Sequence, residues 1–75
     1  FRNIQAALES VGSDLGHILK MTTFMTHRED FPAYRAARSK FLTDDDALPA
    51  STLILCSGLA DPDFRIEIEA VAAIP

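Results

Sequence analysis

Residues 64–72 alternate between apolar and charged side chains, and this alternation constrains the fold more than any other stretch of the chain. Successive side chains of a β-strand point to opposite faces, so the pattern predicts a strand with one apolar and one charged face. The apolar face comprises Phe64, Ile66, Ile68, Ala70 and Ala72, and the charged face comprises Arg65, Glu67 and Glu69. Glu67 is then held on a stiff backbone, as a working acid must be.

The length of the chain predicts one domain with an incompletely covered core. A domain of 75 residues leaves much of its apolar surface exposed when it folds alone, and 48% of these residues are hydrophobic. A single cysteine excludes an intrachain disulfide, and two histidines supply no metal-ligand cluster. We therefore expect self-association or additional chain to cover the excess. Because the sequence begins at Phe1 within a helical pattern, we also expect a preceding segment to be missing.

The charge of the chain argues against a nucleic-acid surface. The formal net charge is −4 and the seven basic residues are dispersed, whereas phosphate binding needs clustered lysines and arginines. No apolar run in residues 1–75 approaches the roughly 18 residues of a membrane span, and these residues contain no basic-then-apolar pattern before a cleavage site. The unpaired Cys56 fits a reducing compartment. These features predict a cytoplasmic protein with no nucleic-acid and no membrane partner.

Hydrophobic spacing predicts a helix followed by a strand in the first third of the chain. The helix has an apolar stripe and ends at Gly12, because glycine enters the left-handed cap conformation without steric cost. Residues 17–26 then alternate with apolar side chains on both faces, which predicts a central strand. Leu19, Met21, Thr23 and Met25 are expected on one face of that strand.

The remaining elements are predicted to complete a mixed sheet. A second helix begins after Asp30 as N-cap with Pro32 in its first turn, and strands follow at residues 51–56 and 64–73. The strand–helix–strand order implies a right-handed crossover between parallel strands, and the short last connection implies an antiparallel hairpin. Both helices then lie on one face of the sheet, which is an α+β fold.

Four features of the sequence together resemble the RidA/YjgF/UK114 family. They are a first helix that ends in glycine, residues 18–26 followed by residues 30–34, the Pro49-Ala50 pair that opens a strand, and Ile-Glu-Ile-Glu-Ala at residues 66–70, which is the most specific. The resemblance implies a chorismate-mutase-like α+β fold, assembled as a homotrimer around a central barrel with ligand clefts between subunits. Because only the C-terminal part of the family is matched, we expect residues 1–75 to be a single RidA-like domain without its N-terminal strands.

The resemblance also implies an activity and its residues. Active members hydrolyse enamines and imines to 2-keto acids and ammonia without a cofactor, which implies a small-molecule substrate and a 2-iminobutanoate/2-iminopropanoate deaminase-like hydrolase. Glu67 matches the acid that positions the attacking water, and a carboxylate in an apolar cleft can also pass a proton to the leaving nitrogen. Glu67 is thus the expected catalytic residue, and Ser51, Thr52 and Leu53 are the expected substrate-binding residues.

Ser51 departs from the family at the position that matters most for substrate binding. The family has an arginine there, whose guanidinium clamps the substrate carboxylate, and a serine hydroxyl offers one neutral hydrogen bond instead. Leu53 matches a position that binds the same carboxylate through its backbone N–H. A non-catalytic ligand-binding or regulatory trimer is therefore the alternative, and a purely structural subunit is a third reading. The alternative to a catalytic role for Glu67 is that Glu67 and Glu69 simply form the polar face of a half-buried sheet.

The other chemically active residue types have ordinary explanations. Cys56 is expected as a small hydrophobe in a strand, and His17 and His27 bracket a strand that holds them about 33 Å apart, too far to share a metal. The acidic run at residues 44–46 is expected to be solvated, although such a run can also bind a divalent cation. Arg35 and Arg38 complement the dipole of the second helix. We therefore expect no metal and no cofactor.

Overall fold

The computed structural model describes residues 1–44 and 48–75. Its helices are α1 at Arg2–Glu9 and α2 at Phe31–Phe41, and its strands are β1 at Ile18–Met25, β2 at Ala50–Leu55 and β3 at Ile66–Ala72. Short 3₁₀ turns at Leu15–His17 and Arg28–Asp30 precede β1 and α2. The predicted order of helices and strands is confirmed. Neither helix of the described ranges is long and apolar enough to cross a membrane.

The central position of β1 organises the sheet. The strand order is β2-β1-β3, with β2 parallel and β3 antiparallel to β1. The parallel crossover is therefore confirmed, but the predicted hairpin between β2 and β3 is wrong, because these strands lie on opposite edges of β1. Residues 56–65 are long enough to cross the end of β1, since two strand spacings amount to about 10 Å and one extended residue spans about 3.3 Å. Pairing on both edges satisfies the backbone groups of the central strand.

A bulge interrupts the start of β1. Between Ile18 and Lys20 the register with β3 shifts by one residue, which leaves Leu19 as the extra residue. The shift puts Ile18 on the buried side together with Met21 and leaves Leu19 61% exposed. The prediction that Leu19 shares a face with Met21, Thr23 and Met25 is therefore wrong, whereas the other three residues do share one face, which is buried.

Gly12 ends the first helical segment, as predicted. The Ser13 N–H donates to the Leu8 carbonyl at 2.9 Å, and the Gly12 N–H donates to the Glu9 carbonyl at 3.2 Å, which is the pattern of a Schellman motif. Gly12 has a φ of 79°, where a residue with a side chain is strained. The buried Ser13 hydroxyl donates to the Ala73 carbonyl at 2.6 Å. This bond ties the turn after α1 to the residue that follows β3.

An ion pair joins the start of α2 to the start of β3. Asp30 occupies the predicted N-cap position, but its side chain caps no backbone N–H. The Arg65 guanidinium instead donates to both of its carboxylate oxygens, at 2.8 and 3.1 Å, and lies 3.7 Å from Glu29. A two-pronged arginine–carboxylate pair has a fixed geometry. It therefore fixes the entry to α2 relative to the residue that precedes β3.

Both helices pack on the same face of the sheet, as predicted. The buried centre of this core is formed by Ile18, Met21 and Leu42, and the partly buried residues against it are Phe1, Ile4, Leu8, Leu15, Ile68 and Ala72. The ring of Phe1 also stacks on Tyr34 and Phe41, with centroid distances of 6.2 and 5.6 Å. The start of the chain is thereby held against α2.

Candidate functional site

Glu67 projects from β3 on the face of the sheet that carries no helix. It lies opposite Phe24 of β1, and Glu69 shares its face, whereas Ile66 and Ile68 point to the helix side. The alternation predicted for this strand is thus confirmed. Glu67 is exposed and has no hydrogen bond or ion pair with another described residue. Its carboxylate is held on a paired strand and is free to contact a ligand.

The helix-free face of the sheet combines apolar and charged side chains. The outward residues are Lys20, Thr22 and Phe24 of β1, Ala50, Thr52 and Ile54 of β2, and Glu67, Glu69 and Val71 of β3. Ile54 and Val71 are 40% and 51% exposed. One face of an antiparallel pair can tolerate water, but a parallel pair such as β1 and β2 is usually covered on both faces. The β1–β2 part of the helix-free face thus lacks, among the described residues, the cover that a parallel pair usually has.

The three predicted substrate-binding residues are consecutive on β2 and do not share a face. Ser51 and Leu53 lie on the helix side, and Thr52 lies on the helix-free face. All three are exposed, because β2 is an edge strand whose outer side has no strand partner among the described residues. The side chains of Ser51 and Thr52 make no hydrogen bond to any residue that the structure describes.

One copy of the chain does not bring Glu67 together with Ser51 or Leu53. β1 lies between β2 and β3, so the two edge strands are about 10 Å apart, and the side chains point to opposite faces. Thr52 shares the face of Glu67 but lies two strands away. A site that uses both groups of residues therefore requires a second copy of the chain.

A groove of about 580 Å³ opens on the helix side of β2. Its lining residues are Met25, Arg28, Phe31, Pro32, Leu53 and Leu55. They surround the carboxyl ends of the parallel strands β1 and β2, where open α/β sheets commonly bind ligands. Leu53 is the predicted binding residue in this groove, whereas the sequence analysis assigned no binding role to Arg28. The sequence feature that could have indicated Arg28 is its position just after β1, where the chain leads into the crossover helix α2.

The two histidines lie apart from this groove and from Glu67. The Nδ1 atom of His17 is 2.8 Å from an Asp14 carboxylate oxygen, and the Nδ1 atom of His27 is 2.7 Å from the Thr26 hydroxyl. These contacts are at opposite ends of β1. Across residues 1–44 and 48–75, no group of three or more His, Cys, Asp or Glu side chains is placed to hold a metal ion.

The remaining residues considered in the sequence analysis also lie away from the groove and from Glu67, as far as the structure describes them. Cys56 is half-buried directly after β2, with its thiol 3.6 Å from the Gly58 carbonyl. Arg35 and Arg38 line a separate groove of about 430 Å³ beside the end of α2. Positions 45 and 46 of the acidic run lie outside the described residues, so the expectation for that run stays a prediction.

Comparison with known proteins identifies relatives along almost the whole chain. The family model described as Endoribonuclease L-PSP matches residues 1–74. A candidate regulator of Lactococcus lactis, AldR, is 36% identical over 73 residues, which are 97% of this chain and 56% of AldR. The 2-iminobutanoate/2-iminopropanoate deaminase of Escherichia coli is 35% identical over 71 residues, which are 93% of this chain and 55% of the deaminase.

The same fold occurs in solved structures. The crystal structure of PA3499 from Pseudomonas aeruginosa, a protein of unknown function, matches 97% of this chain with a TM-score of 0.89 and 34% identity. The match covers 51% of that protein. The chain thus spans about half the length of the relatives that it matches.

Proposed function

We propose a function from the premise that this chain belongs to the endoribonuclease L-PSP family, the family of RidA and YjgF. The proposed reaction is the hydrolysis of a small imine or enamine to a carbonyl compound and ammonia, with Glu67 as the catalytic residue and no cofactor. The observation that carries the proposal is the carboxylate of Glu67 on the paired strand β3, which has no hydrogen bond or ion pair within residues 1–44 and 48–75. The name of the Escherichia coli deaminase, at 35% identity, supports this chemistry.

Glu67 has two tasks in the proposed reaction. Its carboxylate accepts a proton from water while the water oxygen attacks the imine carbon, and the electron pair of the C=N π bond moves to nitrogen. The protonated carboxyl then returns the proton to that nitrogen. In the resulting carbinolamine the Glu67 carboxylate takes the hydroxyl proton and passes it to nitrogen, the oxygen electron pair forms the carbonyl group as the C–N bond breaks, and the nitrogen leaves as ammonia. One water is consumed, and no electron donor or acceptor is needed.

We place this reaction in a cleft between copies of the chain, which acts as a single domain of a homotrimer. Two observations support the assembly. Glu67 and the pair Ser51 and Leu53 occupy opposite faces and opposite edges of the sheet, so a neighbouring copy must supply one of the two groups. The helix-free face also exposes Ile54 and Val71, and covering such apolar area favours association.

Ser51 limits the range of substrates that this cleft can bind. Ser51 supplies a hydroxyl and Leu53 a backbone N–H on the helix side of β2, so the donors that β2 offers there are neutral, and the hydroxyl of Thr52 lies on the other face. A neutral hydrogen bond is roughly half as strong as a charge-assisted one. We therefore propose that β2 alone binds a carboxylate weakly. The deaminase then acts either on imines without a carboxylate or with the help of a cation elsewhere. A cytoplasmic location stays a prediction.

The test is ammonia release from enzymatically generated imines, with and without a carboxylate group. Glu67→Gln keeps the size of the side chain but removes the proton acceptor, so we expect turnover to fall by about 10²-fold or more. Glu69→Gln is the matched control, because Glu69 lies on the same face of the same strand, and its turnover should stay within about twofold of the native protein. Equal turnover in Glu67→Gln and the native protein would rule out the proposed role.

The second candidate function is a ligand-binding or regulatory member of the family. The similarity to AldR, at 36% identity, favours it as much as the deaminase match favours catalysis. In that case the cleft between copies binds a small molecule without converting it. Stabilisation of the protein by an imine or keto acid, together with the absence of ammonia release from every imine tested, would select this function over hydrolysis.

A further inference from the structure

We propose that Arg28 binds the carboxylate of a short aliphatic acid whose carbon chain lies in the groove beside Leu53 and Leu55. The groove has apolar walls formed by Met25, Phe31 and the two leucines, with the guanidinium of Arg28 as its charged group. This arrangement fits an amphipathic anion, since an apolar wall binds hydrocarbon while a guanidinium binds carboxylate through two parallel hydrogen bonds.

The charges around the groove leave Arg28 available. The two acids that follow Arg28 in the sequence, Glu29 and Asp30, are both paired with Arg65, at 3.7 Å and 2.8 Å. Arg28 has no acidic partner among the described residues. Arg28 is therefore a cation beside apolar side chains, and the two acids next to it in the sequence are paired with Arg65. The N-terminal end of α2 also borders the groove and favours an anion through the helix dipole.

The size of the groove indicates the size of the acid. A volume of about 580 Å³ falls within the range of small-molecule sites and is more than a three-carbon acid fills. Phe31, Leu53 and Leu55 are each partly exposed along it, so their apolar surface gains from being covered by the ligand. The inference thus predicts that longer aliphatic acids such as hexanoate bind more tightly than acetate or propionate.

The Arg28 groove and the Glu67 carboxylate are separate sites. Glu67 lies on the other face of the sheet and on the far edge, so Glu67→Gln should leave acid binding unchanged. If hydrolysis takes place where Leu53 meets a neighbouring copy, Arg28 is the cation that offsets the missing charge at Ser51. That connection depends on the proposed function, whereas binding of the acid does not.

The experiment uses the two methionines as reporters. Met25 lines the groove and Met21 lies in the core cluster, so ¹³C-methyl labelling of methionine gives one signal at the site and one internal control. Hexanoate should shift the Met25 signal and leave Met21 unchanged, while hexanamide, which has the same chain without the charge, should shift neither. Over the series from acetate to hexanoate, affinity should rise by up to about fourfold per CH₂ group.

Charge variants then assign the carboxylate partner. Arg28→Gln should weaken hexanoate binding by about 10- to 100-fold, and Arg28→Lys by less, because an ammonium keeps the charge but not the two-pronged geometry. Arg35→Gln makes the same charge change on α2 outside the groove and should stay within about twofold. The proposal would be overturned if hexanoate shifted neither methionine signal, or if it bound Arg28→Gln as tightly as the native protein. Loss of turnover in Glu67→Gln with hexanoate binding intact would separate the two sites.

Discussion

The hydrogen bond between Thr23 and Tyr34 joins the central strand to α2 inside the core. The two hydroxyl oxygens are 2.8 Å apart, and the two residues are 0% and 7% exposed. Because both residues are buried, a hydroxyl that loses its partner cannot form a hydrogen bond with water instead. The bond therefore matters less for its own strength than for the cost of leaving either group alone.

A double-mutant cycle measures that cost. Tyr34→Phe and Thr23→Val should each lower the free energy of unfolding by about 1 to 2 kcal/mol, because each leaves one buried hydroxyl unsatisfied. The double variant should be destabilised by less than the sum of the two. Urea unfolding at one fixed protein concentration gives the three values. Strict additivity would mean that the hydroxyl groups do not depend on each other.

The turn between α1 and β1 depends on the backbone of one glycine. Gly12 has a φ of 79°, and no atom lies within 4 Å of the place where its Cβ would stand. A side chain there meets no neighbour, so a substitution is strained through the backbone alone. The two hydrogen bonds of the Schellman motif and the bond from Ser13 to Ala73 rely on that conformation.

Gly12→Ala should lower the free energy of unfolding by about 1 to 2 kcal/mol, which is the cost of the left-handed conformation for a residue with a Cβ. Gly58→Ala is the matched control, because Gly58 also has open space around its Cβ position but does not have a positive φ. We expect Gly58→Ala to be neutral or slightly stabilising, since alanine restricts the unfolded chain. Equal effects of the two substitutions in thermal unfolding would show that φ is not the cause.

At the scale of the whole molecule, exposed apolar side chains lead to the expectation of self-association. Ile54→Glu places a charge on the helix-free face, and Val11→Glu places one on the turn after α1, where the side chain is 54% exposed. If the helix-free face is an interface, burying the new carboxylate opposes assembly. Light scattering should show a lower mass for Ile54→Glu and an unchanged mass for Val11→Glu. A native protein that is monomeric would contradict the homotrimer.

Local sequence patterns predicted the helices and strands well. The features that they did not predict, such as the bulge and the strand order, depend on long-range contacts. The alternation around Glu67 and the glycine at position 12 depend on neighbouring residues, so they could be interpreted from the sequence. The bulge at Leu19 depends on how β1 pairs with β3, and the path of residues 56–65 depends on which edge of β1 is free. That Ser51 and Glu67 lie on opposite faces follows from the register. Arg28 is one of the four residues that end the alternating pattern of β1, but nothing local marks it as a binding residue, and its groove forms only when α2 packs beside β2.

The order β2-β1-β3 also has a consequence for how the chain folds. No two strands of this sheet are joined by a tight turn, and even the nearest pairing, such as Lys20 with Ala50, closes a long loop. Contacts of this kind must overcome loop-closure entropy before they stabilise anything, which slows folding compared with a sheet made of hairpins. During synthesis, β1 is made before β2 and β3, so both of its edges lack these partners until residues 50–72 have been made, and unpaired strand edges favour aggregation.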